Sequence, residues 1–368
     1  MRLMRAPASS LSPVARTTDW LCRTFELQDP AHARLLPMEG LRGMAVILVF
    51  LQHYCVQAEL IGLPPGVTGS FAALFHSYGN FGVELFFVLS GYLIYGALVR
   101  RAPPFIVFMR RRIVRIYPAF LAVFCPVLLA TFMFIPGRIP DGAIPAIRYI
   151  AANLFLVAGI VPMVRIVDVA WSLSYEMFFY IATGFLILGL CVGRLQRTAR
   201  LVVLALLWAT FLIGSLTQEW LPLRMMPFFA GMALAEGMGG RVPGWAGWAG
   251  WAPALGLAVL STHRVGPVVG ELIQTICFFL LCAVCFRSVG RVSQLMCWAP
   301  LRWLGNMSYS YYLVHGFIVR LSMTALAQVV TGALPPVAFW LLIVPLFAAT
   351  LAGSALLFVG VEKPVSLR

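Results

Sequence analysis

Apolar residues in this chain run together in long blocks instead of alternating with polar ones. Ten blocks read as helices that cross a bilayer, at about 44–63, 80–99, 117–136, 170–191, 201–216, 222–238, 249–262, 270–286, 303–327 and 337–360. A hydrocarbon core about 30 Å thick takes about 20 helical residues, so the shorter blocks must reach the interface early. Residues 145–161, bounded by Pro145 and Pro162, read as a re-entrant or interfacial helix. The expected fold is all-α, a polytopic membrane protein of about ten transmembrane helices around a central polar cavity.

Composition supports that pattern. Apolar residues make up 61% of the 368 and charged ones 11%, with a mean hydropathy of +0.91. A soluble domain is nearer half apolar and a quarter charged. The expected organisation is an arginine-rich leader over 1–35, a transmembrane domain over 36–364 and a short tail over 365–368. The leader carries Arg2, Arg5, Arg16 and Arg23 and lacks the apolar stretch of a signal peptide. Ten spans put most basic residues on one side, including Arg100, Arg101, Arg110, Arg111, Arg112 and Arg115 between the second and third spans. The positive-inside rule makes that side, and both termini, cytosolic. A nucleic-acid partner is not expected, since the basic surface is also the inner membrane face.

Cys282 and Cys285 lie in an apolar run with no second pair or histidine nearby, so they read as small buried hydrophobes, and no metal site is expected. The run GWAGWAGWAP at 244–253 spaces Trp245, Trp248 and Trp251 every three residues and reads as an interfacial anchor.

Polar residues inside apolar blocks are costly and usually functional. Arg42 and His53 share the first span. Eleven residues advance about 16 Å and turn three times plus about 20°, so the two share a face, with the imidazole near mid-membrane. Gln57 follows one turn later. Glu84 lies near the start of the second span and Glu176 near the start of the fourth. Both are expected in the outer half, above His53. Either could orient the imidazole, grip substrate hydroxyls, or make a helix cap or interhelix bond; Asp168 reads as a cap. Arg112 and Arg115 are one helical turn apart and can clamp one anion, with Arg42 and Arg111 nearby. His315 reaches a depth similar to that of His53, on a helix made polar by Ser308, Tyr309, Tyr311 and Tyr312. This order suits a cytosolic anionic donor, an external neutral acceptor and a general base between them. It also suits a proton-coupled transporter, while an idle scaffold has no need of these groups.

These residues resemble the integral-membrane acyltransferase family 3 over most of 35–364. MEGLRGMAVILVFLQHY is similar to its opening arginine and histidine, here Arg42 and His53. FGVELFFVLSGYLI carries Glu84, the R-x-x-R motif falls on Arg112 and Arg115, and WSLSYE gives Trp171, Ser172 and Glu176. LGNMSYSYYLVH supplies Ser308, Tyr309 and His315, and Glu362–Lys363–Pro364 fits the closing E-x-P. The resemblance implies transfer of an acyl group, most often acetyl, from cytosolic acyl-CoA to a hydroxyl of an extracytoplasmic carbohydrate or lipid-linked acceptor. It further implies residence in a bacterial inner membrane and no permanently bound cofactor. Under it, His53 is the base or an acylated nucleophile, and Glu176 or Glu84 orients it. The arginines hold the CoA phosphates. Trp171, Ser172, Ser308, Tyr309 and His315 are candidates for substrate or oxyanion contacts. An appended esterase-like domain is not expected.

Overall fold

The computed structural model describes residues 13–26, 36–78, 81–161, 163–217, 223–237, 249–256, 266–287, 290–330 and 332–367. Among them there are helices and turns and no strand. In chain order the helices are α1 (Pro13–Phe25), α2 (Leu36–Ala58), α3 (Gly66–Tyr78), α4 (Phe81–Ser90), α5 (Gly96–Arg101), α6 (Phe105–Phe134), α7 (Ala143–Leu154) and α8 (Trp171–Gly184). They continue with α9 (Arg197–Thr217), α10 (Met226–Glu236), α11 (252–256), α12 (Pro267–Arg287), α13 (Arg291–Met296), α14 (Ala299–Asn306), α15 (Ser308–Ala327) and α16 (Pro336–Leu357). Among the described residues, seven stretches are long and apolar enough to cross a membrane: Leu36–Ala58, Gly66–Arg101, Phe105–Phe134, Asp168–Gly189, Arg197–Thr217, Val268–Arg287 and Pro336–Ser366. The chain is an all-α polytopic membrane protein.

Several helix ends differ from the apolar blocks, and each difference has a local cause. The first span begins at Leu36, eight residues early, because glycines let α2 cross its neighbours closely. Side-chain atoms added at Gly40, Gly43 or Gly305 would overlap the carbonyls of Met296, Leu301 and Glu39 respectively. Close backbone approach at small residues is how membrane helices pack when hydrophobicity cannot drive them together. Glu39 is buried there and accepts a hydrogen bond from Arg302 Nε at 2.9 Å.

The third span begins at Phe105, so Arg110 to Arg115 are helical and not part of a loop. The second span widens into a π turn at Gly91–Tyr95, where Gly91 and Gly231 bring the backbones of α4 and α10 together. The ninth block is broken at Met307 into α14 and α15. The last helix continues in π form through Phe358–Ser366, absorbing half of the expected tail. Helix α7 has 12 residues, about 18 Å, too short to cross. Residues 257–262 of the expected seventh span, and Trp245 and Trp248 just before it, lie outside the described residues.

A stack of Phe87, Phe228 and Phe179, with centroids 4.3 and 4.2 Å apart, ties α4, α10 and α8 together. The leader is docked where it is described. Phe25 stacks on Phe358 at 5.8 Å, and Asn306 Nδ2 donates to the Phe25 carbonyl at 3.0 Å. Lys363 Nζ donates to the carbonyls of Arg23 and Thr24 at 2.8 and 2.6 Å.

Candidate active site

Helix α2 carries Arg42 at one level and His53 eleven residues on, about 16 Å along the axis. Helix α15 runs beside it in the same direction. Arg42 Nη2 donates to Ser308 Oγ at 2.8 Å, and seven residues later His315 meets His53, with ring centroids 4.8 Å apart and planes at 81°. The two helices thus pair arginine with serine below and imidazole with imidazole above.

At the arginine level lies a cavity of about 880 Å³, its open mouth included, between α2, α4, α6, α8 and α15. Arg42, Arg112 and Arg115 all line it. Arg112 lies between the rings of Phe108 and Tyr180, 5.8 and 5.7 Å from their centroids, and its Nε has no partner among the described residues. Arg115 is ion-paired at 2.6 Å with the wholly buried Glu362 and lies 5.6 Å from the Tyr309 ring centroid. The other Glu362 oxygen accepts from the Ser310 amide at 3.0 Å and from its hydroxyl. Glu176 also lines the cavity, accepting from Ser90 Oγ at 3.1 Å and from the Tyr180 hydroxyl. The charges that reach Arg42 are those of Arg115, Glu362 and Glu176. An anion entering here meets three guanidiniums against two carboxylates.

The roof of the cavity is a hydrogen-bonded pair. Ser172 Oγ donates to the Tyr312 hydroxyl at 2.8 Å, which in turn donates to the Val169 carbonyl at 2.7 Å. Tyr312 and Ser172 line the cavity; neither histidine does. His53 is partly exposed, and the carboxylate whose charge reaches it is Asp168. Asp168 is bonded to Arg320 at 2.9 Å and lies 3.7 Å from Arg138. His315 is wholly buried; its Nδ1 lies 2.9 Å from the Tyr311 carbonyl, and its Nε2 has no partner among the described residues. A buried polar atom left unpaired costs about 1–3 kcal/mol.

The structure corrects several expectations drawn from the sequence. Neither glutamate touches His53. Helix α8 starts at imidazole depth, because the Asp168–Ala170 turn precedes it within the protein. Glu176 lies four residues, about 6 Å, below Ser172 and therefore at arginine level. Glu84 is buried against α12, with its carboxylate 2.8 Å from the Gln274 amide and hydrogen-bonded to Glu271. Asp168 makes ion pairs and no cap bond. Arg111 is exposed and does not line the cavity, about 100° round α6 from Arg112. Tyr309 already donates to the Ile116 carbonyl at 2.7 Å, and Ser308 is taken by Arg42. Trp171 lies outside the cavity lining, with Arg224 stacked on it at 4.2 Å.

Sequence reasoning gave no site role to Glu362, Tyr180, Ser90 or Arg224. Tyr180 stands one turn after Glu176, and Glu362 closes an apolar run of more than 20 residues, so both carried a usable signal.

The candidate site is thus a polar cavity and an imidazole pair enclosed by apolar helices, and the comparisons give the class of protein that carries it. Residues 37–359 match the family model described as an acyltransferase domain, and the chain belongs to that family. Acyltransferase MdmB of Streptomyces mycarofaciens is 26% identical over 321 residues, 79% of this chain and 80% of that protein. O-acetyltransferase OatA of Staphylococcus aureus is 32% identical over 165 residues, but this covers only 40% of this chain and 24% of that protein. YrhL of Bacillus subtilis, whose name assigns it peptidoglycan O-acetylation, is 26% identical over 335 residues, 79% of this chain and 50% of that protein. No solved structure matches the chain significantly.

Proposed function

We propose that the protein is an O-acyltransferase that takes an acyl group, acetyl in the first instance, from cytosolic acyl-CoA and passes it to an acceptor hydroxyl presented from the other side of the membrane. The observation that carries this reading is the alignment on α2 and α15 of an arginine-lined cavity with an imidazole pair beyond its roof. Acyl-CoA offers phosphates and a long, partly apolar arm ending in a thioester. Arg112 leads the phosphate contacts, since its Nε is unpaired, while Arg115 shares its charge with Glu362. Charge-assisted hydrogen bonds of this kind are the strong ones. The thioester then reaches past Tyr312 toward His53.

His53 takes the acceptor hydroxyl's proton as the oxygen attacks the thioester carbonyl. The carbon–sulfur bond breaks, and the leaving thiolate takes the proton back from the imidazolium. Ester and free CoA are the products. Positioned general-base catalysis contributes typically about 10²–10⁴ in rate. The name of YrhL supports a glycan acceptor in a bacterial envelope, that of OatA supports O-acetylation, and the arginine-rich end of α2 supports a cytosolic donor side. Membership of an acyltransferase family favours this reading over proton-coupled uptake.

The test is to mix the purified protein with acetyl-CoA and envelope glycans and lipids extracted from cells deleted for it. Release of free CoA matched by new acetyl esters is expected. No acceptor-dependent CoA release would overturn the reading.

A further inference from the structure

We propose that His315 is a positioning residue: its bare Nε2 accepts a hydrogen bond from the His53 ring and thereby sets which His53 nitrogen is left to take the acceptor's proton. This rests on the acyl-transfer reading above, with His53 as the base.

The tautomer of His315 follows from its own helix. Its Nδ1 lies 2.9 Å from the Tyr311 carbonyl, and a carbonyl can only accept, so Nδ1 carries the ring proton. The lone pair is then on Nε2. That atom is buried in a wholly buried residue and has no partner among the described residues. Of the polar rings around it, His53 stands nearest at 4.8 Å between centroids; those of Tyr311 and Tyr312 lie at 5.2 and 5.8 Å, with their hydroxyls engaged by Thr350 and by Ser172 and the Val169 carbonyl.

The His315 ring is also held in place. Tyr311 stacks on it at 5.2 Å and 14°, and the Tyr311 hydroxyl is itself paired with Thr350 Oγ1 at 2.9 Å. Any adjustment that closes the contact therefore falls to His53, which is partly exposed. Glycine at 316 does not crowd it: a Cβ there would meet Val169 Cγ1 at 3.1 Å and stand in ordinary contact, 3.9 Å, with His53 Nδ1 and Cε1. Catalytic hydrogen bonds are often long without substrate and tighten in the reacting complex.

A neutral imidazole donates from one nitrogen and accepts at the other. Once His53 gives its N–H to His315, its second nitrogen presents a lone pair to the acceptor hydroxyl. In hydrolase triads a carboxylate orients the base, but neither glutamate is in place to do so here. Asp168 is engaged by Arg320 and Arg138. A fixed, neutral acceptor is what the structure offers instead.

The experiment compares wild type with His315→Gln, whose side-chain oxygen still accepts, and His315→Phe, which keeps a ring against Tyr311 and removes the acceptor. Each is purified, checked for a monodisperse folded species, and assayed with acetyl-CoA and the extracted envelope acceptors. We expect His315→Phe to lower kcat by 10- to 100-fold with KM for acetyl-CoA within twofold, and His315→Gln to recover most of the loss. A folded His315→Phe with kcat within twofold of wild type overturns the positioning role, as does a folded His315→Gln no better than His315→Phe. If neither variant folds, the same comparison with His315→Asn decides, with kcat near wild type supporting the role and loss matching His53→Ala opposing it. Wild type that releases no CoA refutes the acyl-transfer reading itself and is thereby told apart.

Discussion

The two ends of α2 meet opposite surroundings. Around Arg42 the charges are dense and all but one are answered: Ser308 takes its hydrogen bond, Arg115 has Glu362, and Glu176 has Ser90 and Tyr180, while Arg112 keeps an unpaired Nε. About 16 Å on, the imidazoles stand among aromatic side chains, and the charge that reaches His53 belongs to an Asp168 already bound elsewhere. A crowded, compensated site suits holding a highly charged ligand. A sparse one with an unspent lone pair suits moving a proton. The roof of Tyr312 and Ser172 divides the two. On the proposed reaction, binding and chemistry fall at different levels of this helix, and substitutions should separate them.

The largest effect is expected at the imidazole end. His53→Ala should lower acyl transfer by about 10²–10⁴ while acetyl-CoA still binds, checked by initial rates and by calorimetric titration of the same preparation. Glu362→Ala should act mainly on stability, since it leaves Arg115 charged and unpaired beside a buried Ser310. Breaking a buried pair costs about 3–5 kcal/mol, readable as a lowered Tm in detergent. Arg112→Ala should weaken acetyl-CoA binding about 10- to 100-fold, the loss of a charge-assisted hydrogen bond of about 1.5–3 kcal/mol, with kcat at saturation little changed. Tyr312→Phe unlocks the roof by removing bonds worth about 1 kcal/mol each. Acceptor-independent acetyl-CoA hydrolysis should rise a few-fold, measured as CoA release without ester. The smallest effect is expected for Arg111→Ala, within twofold in every parameter, because Arg111 faces away from the cavity. A large loss there would blur the boundary drawn round the binding end.

What the sequence disclosed is set by periodicity. Apolar blocks exposed the membrane class, and the spacing of Arg42 and His53 on one helix was legible because both lie in a single regular element. Depth in other helices was not. Glu176 was assigned to the outer half on the premise that α8 starts at the membrane surface, whereas the Asp168–Ala170 turn starts it within the protein. Glu84 shares the interior with His53 but faces α12, and only packing decides which face of α4 meets which neighbour. The link between Arg115 and Glu362 joins α6 to the end of α16, a distance in sequence that no local pattern spans. The first eight residues of α2 lie outside the apolar block, and the fit of Gly40 and Gly43 against Met296 and Leu301 is visible only in the fold.

On the proposed reaction, a donor held by its phosphates at the arginine end gives up its acyl group to an acceptor hydroxyl at the imidazole end. Proteoliposomes with acetyl-CoA confined to one side and the extracted envelope acceptors confined to the other test it directly. The expected result is acetyl ester on the acceptor side matched by free CoA on the donor side, abolished in His53→Ala with acetyl-CoA binding intact. Ester formed only when donor and acceptor share a compartment, or at an undiminished rate in His53→Ala, would contradict it.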